Sequence, residues 1–320
     1  MIANEPITLA YKLADMVQPN IDSHQTLLAV ARSVFLGALL IGCEMEPPSR
    51  EHVNGDRDLL ATTNVVATMV EAVVGRPVEQ LIAGGANATT WSPSEVELEM
   101  MAEGFLVSNG RGFEATLKKY DLPRSTWLRS ANKLKDSPIL HDVVEHQHGP
   151  NGAHSHGDVD GHTWVDPMTA ISQLEIIRER LVQEGFCTES ESRQNIANLN
   201  QSLQEIHDLF AAIETEKVML YANQPAYDYL ARSFGWTIKS FDLPPEGPLA
   251  NESFQMMKKQ PGPKVMVLTG PPSLPFAEAL AELEVRTVVL SLGTDPTLDG
   301  GWPQCLKVGA ERLQEVLSRP

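Results

Sequence analysis

Residues 217–243 read KVMLYANQPAYDYLARSFGWTIKSFDL. The apolar run KVMLYAN has strand character. QPAYDYLARSFG then carries its apolar residues at helical spacing and stops at Gly235, a residue that closes helices without strain. WTIKSFDL returns to strand character. A strand, a helix and a strand in so short a span form a crossover unit, whose two strands run parallel. The alternation continues toward the C-terminus. ANESFQMMKKQ (250–260) reads as a helix, KVMVLTG (264–270) as a strand and LPFAEALAELE (274–284) as a helix. RTVVLSLG (286–293) is a further strand, and CLKVGAERLQEVL (305–317) a closing helix.

Upstream lies a long amphipathic helix, expected over about 190–214. Ile196, Leu199, Leu203, Ile206, Leu209, Phe210 and Ile213 recur at three- and four-residue steps. At 1.5 Å per residue it spans roughly 35 Å, enough to connect two lobes. The first half repeats the α/β logic. LLATTNVV (59–66) suits a strand running into a helix that closes at Gly75. VEQLIA (78–83) is a short strand, and a GGANATTWSP loop leads to a helix opened by Ser94 and Glu95. GFLVSNG (104–110) is another buried strand. Asp166-Pro167 starts a helix to about Glu184, with Asp as cap and Pro in the first turn. The expected fold is therefore α/β, with two lobes, each a mainly parallel sheet flanked by helices, joined by a long helix. The first lobe covers 58–184, the connecting helix 185–214 and the second lobe 215–320.

The strongest chemical signal is histidine. Six of the nine histidines lie in the Gly- and Asp-rich loop 141–162: His141, His146, His148, His154, His156 and His162. Neutral imidazole is a common ligand for zinc and related ions. Asp158 and Asp160 add carboxylates to this loop. His162 stands apart, because it directly precedes TWVDP and a well-capped helix, at a loop end where α/β folds bind ligands.

The N-terminal region reads differently. Arg32 precedes the apolar run SVFLGALLIGC (33–43), which is too short to span a bilayer as a mature helix and has the form of an export signal. Met16 is a more natural start for such a signal than Met1. Residues 1–43 are expected to form the leader, and 44–57 a polar tether. Leu40-Ile41-Gly42-Cys43 resembles the lipobox of bacterial lipoproteins, which implies lipidation at Cys43. Cys187 and Cys305 remain to pair in an oxidising compartment.

Gly161-His162-Thr163-Trp164-Val165-Asp166-Pro167 resembles the metal-binding segment of the zinc/manganese solute-binding proteins of ABC importers. GGANATTWSPSEVELEMMAEGFLVSNGRGFE resembles that family's first metal segment and the strand after it. YANQPAYDYLARSFGW resembles the third metal segment, LPPEGPLANESFQMMKK the turn and helix that follow it, and VVLSLGTDPTLDGG the fourth metal segment. The segments run in the family's order over about 58–317. The resemblance implies an extracytoplasmic receptor with zinc or manganese as its transported ligand and an ABC transporter permease as its partner. It also implies a place in the cell envelope, at the periplasm or outer membrane face, with membrane contact only through a lipid anchor, and small lobe movements.

The chain departs from the family at the ligands. Thr89 and Gln224 occupy the first and third ligand positions and are expected to line the cleft, although neutral oxygens donate weakly to such ions. Strict register puts Leu290 at the fourth position, while Asp295 or Asp299 reach the cleft only with a shifted loop. The metal candidates are thus His162, His146, His148, His154, His156 and Asp295. Three outcomes are open: the loop histidines complete the site, the site takes another ion or a small chelate, or the pocket is a degenerate one in a scavenging or structural lipoprotein. Trp91, Trp164 and Tyr227 either line the cleft or pack within each lobe.

A formal charge of -17 argues against a nucleic-acid partner, since phosphate binding needs a clustered basic surface. A metal-dependent hydrolase is the rival from another class. The chain has no HExxH or GxSxG, and its Gly pairs lack a phosphate-loop context, so the expectation is a binding protein and not an enzyme.

Overall fold

The computed structural model describes residues 57–140, 146–147, 153–154, 159–244, 247–295 and 301–318, all within the compact unit His52–Pro320. The leader, the tether and Cys43 lie outside the described residues.

Two four-stranded parallel sheets organise the chain. The first contains β1 (Leu59–Ala61), β2 (Glu79–Gln80), β3 (Phe105–Ser108) and β4 (Trp127–Arg129), in the order β2-β1-β3-β4. A two-residue antiparallel ladder, β5 (His146–Gln147) with β6 (Ala153–His154), lies within the histidine loop and sets His146 opposite His154. The second sheet holds β7 (Met219–Ala222), β8 (Ile238–Ser240), β9 (Lys264–Leu268) and β10 (Val285–Val289), in the order β10-β9-β7-β8. Read from its first strand, each sheet places its second strand on one side and its third and fourth on the other. The two lobes therefore share one topology, with a switch point between β1 and β3 and another between β7 and β9.

The core strands are buried on both faces, as parallel sheets require. Side chains alternate between two clusters at the two-residue period of a strand. Leu59, Ala61, Phe105 and Val107 face the central core, while Leu60 and Leu106 face an outer cluster. In the second lobe Leu220, Ala222, Val265 and Val267 join the same central core, and Tyr221, Met266 and Leu268 face outward.

The helices are α1 (Asn64–Val74), α2 (Glu95–Glu103), α3 (Pro167–Gln183), α4 (Glu189–Ala211), α5 (Asp228–Phe234), α6 (Asn251–Lys259), α7 (Leu274–Glu282) and α8 (Gly301–Ser318). α4 is the long helix read from the sequence. A capping box of Thr188 and Glu191 starts it, and Ile196, Leu203, Ile206 and Phe210 are buried along one stripe. It packs on α1 and α3 of the first lobe and on α8 of the second, so one core runs through both lobes.

Two expectations change. The run 59–66 is not one strand: β1 ends at Ala61 and Thr63 caps α1, its side chain accepting from the Val66 N–H. β4 was absent from the sequence reading. The two remaining cysteines do not pair; Cys187 is a buried free thiol of the first lobe, and Cys305 is free on α8.

The lobes also touch directly. Trp164 Nε1 donates to Leu292 O at 2.9 Å, and Asn64 Nδ2 donates to Gly293 O at 3.0 Å. Gly293 has φ +69°, and a Cβ there would meet the Trp302 Cα at 2.7 Å, so this strap needs glycine. A second strap runs through α5. Arg111 Nη1 donates to Tyr229 Oη at 2.5 Å, and Arg232 Nη1 to Ser137 O at 2.9 Å.

Candidate metal centre

His162 sits beyond the carboxyl ends of the first sheet, and a buried polar network holds its turn there. Asn109, the residue after β3, donates through Nδ2 to Gly161 O at 2.7 Å. Gln173 Nε2 donates to Asn109 Oδ1 at 2.9 Å and to Ser130 Oγ at 2.8 Å, while the Thr163 hydroxyl donates to Gln173 Oε1 at 2.8 Å. Gly161 lies flat on Phe113; a Cβ there would meet the Phe113 Cβ at 2.8 Å and its backbone at 3.1 Å. Close backbone approach, which only glycine permits, brings the turn onto the sheet.

Glu114 underlies this network. Its Oε1 accepts from the Thr62 hydroxyl at 2.6 Å and from Asn109 N at 2.8 Å, and its Oε2 accepts from Gly110 N at 2.9 Å. Thr62 follows β1 and Asn109 follows β3, so the carboxyl group fills the switch point of the first sheet. Burial raises its pKa above the ordinary value, against the opposing pull of these three hydrogen bonds. At the second switch point Asn223 donates through Nδ2 to Leu243 O at 2.9 Å and accepts from Thr269 N at 2.9 Å, tying together the ends of β7, β8 and β9.

The imidazole of His162 is partly exposed, with about a quarter of its side chain open. Phe113 and Trp164 pack on it, with ring centroids at 5.3 and 5.4 Å. Asp160 Oδ1 accepts from His162 N at 2.8 Å and lies 2.8 Å from Nδ1. Asp160 is only 2% exposed. It is therefore not a free carboxylate of the loop, as the composition suggested, but part of the scaffold under His162. Asp160 N donates to Ile139 O at 2.8 Å, and Leu140 bridges Val159. The two ends of the histidine loop are thus stapled together beside His162.

The other candidate residues are placed as follows. Thr89 is half-buried, and both its N–H and its hydroxyl donate to Asn87 Oδ1. Gln224 is half-buried directly after β7, with its carbonyl accepting from Ala226 N. Leu290 is fully buried against Gly309 and offers no donor. Asp295 lies in the turn after β10, near enough to Cys305 to help burial push that thiol up. The side chains of His146 and His154, together with His141, His148, His156, Asp158 and Asp299, lie outside the described residues. Among the described residues no three His, Cys, Asp or Glu side chains gather into a metal-holding group. Tyr227 and Trp164 pack in the core, Tyr227 donating to Leu290 O at 2.7 Å, and half-buried Trp91 packs against two of the apolar clusters.

The profile of a family described as ZnuA, zinc-uptake complex component A, periplasmic, matches residues 59–315. The chain belongs to the ZnuA family. Its segment order, from the strand at Leu59 to the last helix, is thus the family's order. Among curated proteins it is similar to the zinc-binding lipoprotein AdcA of Streptococcus pneumoniae, with 23% identity over 206 residues, or 61% of this chain and 40% of AdcA. The chain therefore spans about 40% of the length of the curated relatives it matches. Among solved structures, the Zn(II)-bound ZnuA-like domain of AdcA superposes with a TM-score of 0.67 at 18% identity, covering 83% of this chain and 100% of that one. The metal-dependent lipoprotein YcdH from Bacillus subtilis gives 0.67 at 17%, covering 81% and 98%. A Cd-bound periplasmic metal-binding protein from Candidatus Liberibacter asiaticus gives 0.64 at 14%, covering 82% and 100%. These likenesses establish the two-lobed fold of this ZnuA-family chain.

Proposed function

We propose that the chain is an extracytoplasmic receptor that captures a divalent transition metal, zinc or manganese, and passes it unchanged to an ABC permease. The observation that carries this reading is the stapling of the histidine loop beside one fixed imidazole. His162 is held against Phe113 and Trp164 with its ring partly open. The loop returns to its own base between Leu140 and Val159. Histidines 146, 148, 154 and 156 are therefore tethered close to His162 and complete the donor set that the described residues lack, with Asp295, Thr89 and Gln224 as further oxygen donors. Three or four ligands are the norm for zinc, so one imidazole alone is not enough. Family membership and the absence of hydrolase motifs support binding over catalysis. Cys43 would tether the chain to the membrane by its lipid, in the periplasm or on the outer face.

Metal that binds only the folded chain raises its melting temperature. Zinc at a hundredfold excess over its Kd adds about 2.7 kcal/mol, a rise of roughly 5–10 °C for a protein this size. Melting curves of the tag-free chain with zinc, manganese, iron and copper check this. A curve that none of the four ions moves would instead favour a pocket that has lost its ligand.

A further inference from the structure

We propose that Asp160 is a positioning residue that sets which ring nitrogen His162 offers to the metal. The inference rests on the reading of His162 as a donor, and adds how that donor is prepared. A neutral imidazole carries one proton, and the nitrogen that binds metal must be the bare one. Asp160 Oδ1 lies 2.8 Å from Nδ1, close enough to hold the proton there and leave the lone pair on Nε2. The same oxygen accepts from the backbone N–H of His162 at 2.8 Å, which ties the ring to its own main chain. Flipping the ring would set a carbon against that oxygen and lose the ring hydrogen bond, while Phe113 and Trp164 close on the imidazole from their edges.

The carboxylate itself is held in place. Asp160 is 2% exposed, and its backbone is pinned to Ile139 at the base of the histidine loop. Its second oxygen, Oδ2, is buried with no hydrogen-bond partner among the described residues. No cation neutralises this carboxylate, and its one polar contact from a side chain is the imidazole. A carboxylate buried for packing alone would be expected to spread its hydrogen bonds over both oxygens. Here both bonds converge on His162.

The test reads the ring directly. Ring-nitrogen NMR spectra of the metal-free chain, labelled at histidine and assigned by comparison with His162→Gln, report the tautomer of His162. The expected result is the proton on Nδ1 in the native chain, a mixture of tautomers in Asp160→Ala, and retention of the native tautomer in Asp160→Asn, whose amide oxygen still accepts. Zinc affinity should fall by about 10–100-fold in Asp160→Ala and less in Asp160→Asn, with circular dichroism showing both variants folded. A native ring protonated on Nε2, or a tautomer unchanged in Asp160→Ala, overturns the proposal. So does an affinity that stays unchanged while the tautomer shifts. A native chain that binds no zinc overturns the receptor reading instead, while the spectra still report the hold of Asp160 on the ring.

Discussion

Trp164→Ala is expected to lower the unfolding free energy by about 3–5 kcal/mol, the usual cost of truncating a buried aromatic. Trp164 is 1% exposed and packs edge-on against Phe113 with ring centroids 4.7 Å apart. It also crosses between lobes, where its Nε1–H meets Leu292 O. Truncation removes the ring, opens a cavity beside His162 and strands a carbonyl that the second lobe presents to the first. Trp164→Phe separates these effects. It keeps most of the apolar surface and loses the donor, so its cost should be about 1–2 kcal/mol, close to one hydrogen bond with its orphaned acceptor. Denaturant titration of both variants measures this through the midpoint at constant slope. Equal losses in the two variants would show that the strap, and not the packing, carries the interaction.

Glu114→Ala is expected to cost a similar amount, on the order of 3–5 kcal/mol, by a different route. The Thr62 hydroxyl, Asn109 N–H and Gly110 N–H all donate to this one carboxyl group. Its removal leaves three buried donors unmatched at the switch point that supports Asn109 and, through it, the His162 turn. The residue also imposes a pH dependence. Burial raises its folded pKa above the ordinary value near 4.5 that it keeps in the unfolded chain. Between those two values the folded state holds more protons than the unfolded one, so stability falls as pH rises through that window. The contribution is fully present below about 4.5 and is lost as the pH passes the folded value. Glu114→Gln cannot ionise. The difference in unfolding free energy between native chain and Glu114→Gln, followed from pH 4 upward, should therefore shrink as pH rises. A difference that grows with pH would show that the hydrogen bonds outweigh burial.

Much of the fold could be read directly because parallel strands buried on both faces leave continuous apolar runs. KVMVL, VRTVV and FLVS are such runs, and β9, β10 and β3 form where they stand. The long helix was equally plain, since its apolar stripe has to reach both lobes. The reading overran at 59–66 because Val65 and Val66 have strand preference, while Thr63 stops the strand by capping α1. β4 was missed because Trp127–Arg129 is three residues long and is extended only through its pairing with β3. At the site, His162 was legible from its place before a proline-started helix. Asp160 and Glu114 were not. Each acts through a direction in space: one carboxylate turns back on a ring two residues later, and the other collects donors from Thr62, Asn109 and Gly110. Such convergence leaves no periodic trace in a sequence.

The receptor reading depends on a metal ion held at His162. Equilibrium dialysis of the tag-free full chain against zinc, followed by elemental analysis, tests this beside a His162→Ala variant of unchanged circular dichroism. The account predicts one zinc retained per native chain and at least a tenfold weaker hold in the variant, since a donor has been removed from a three- or four-ligand set. A native chain that retains no zinc, or a variant that retains it equally well, would contradict it.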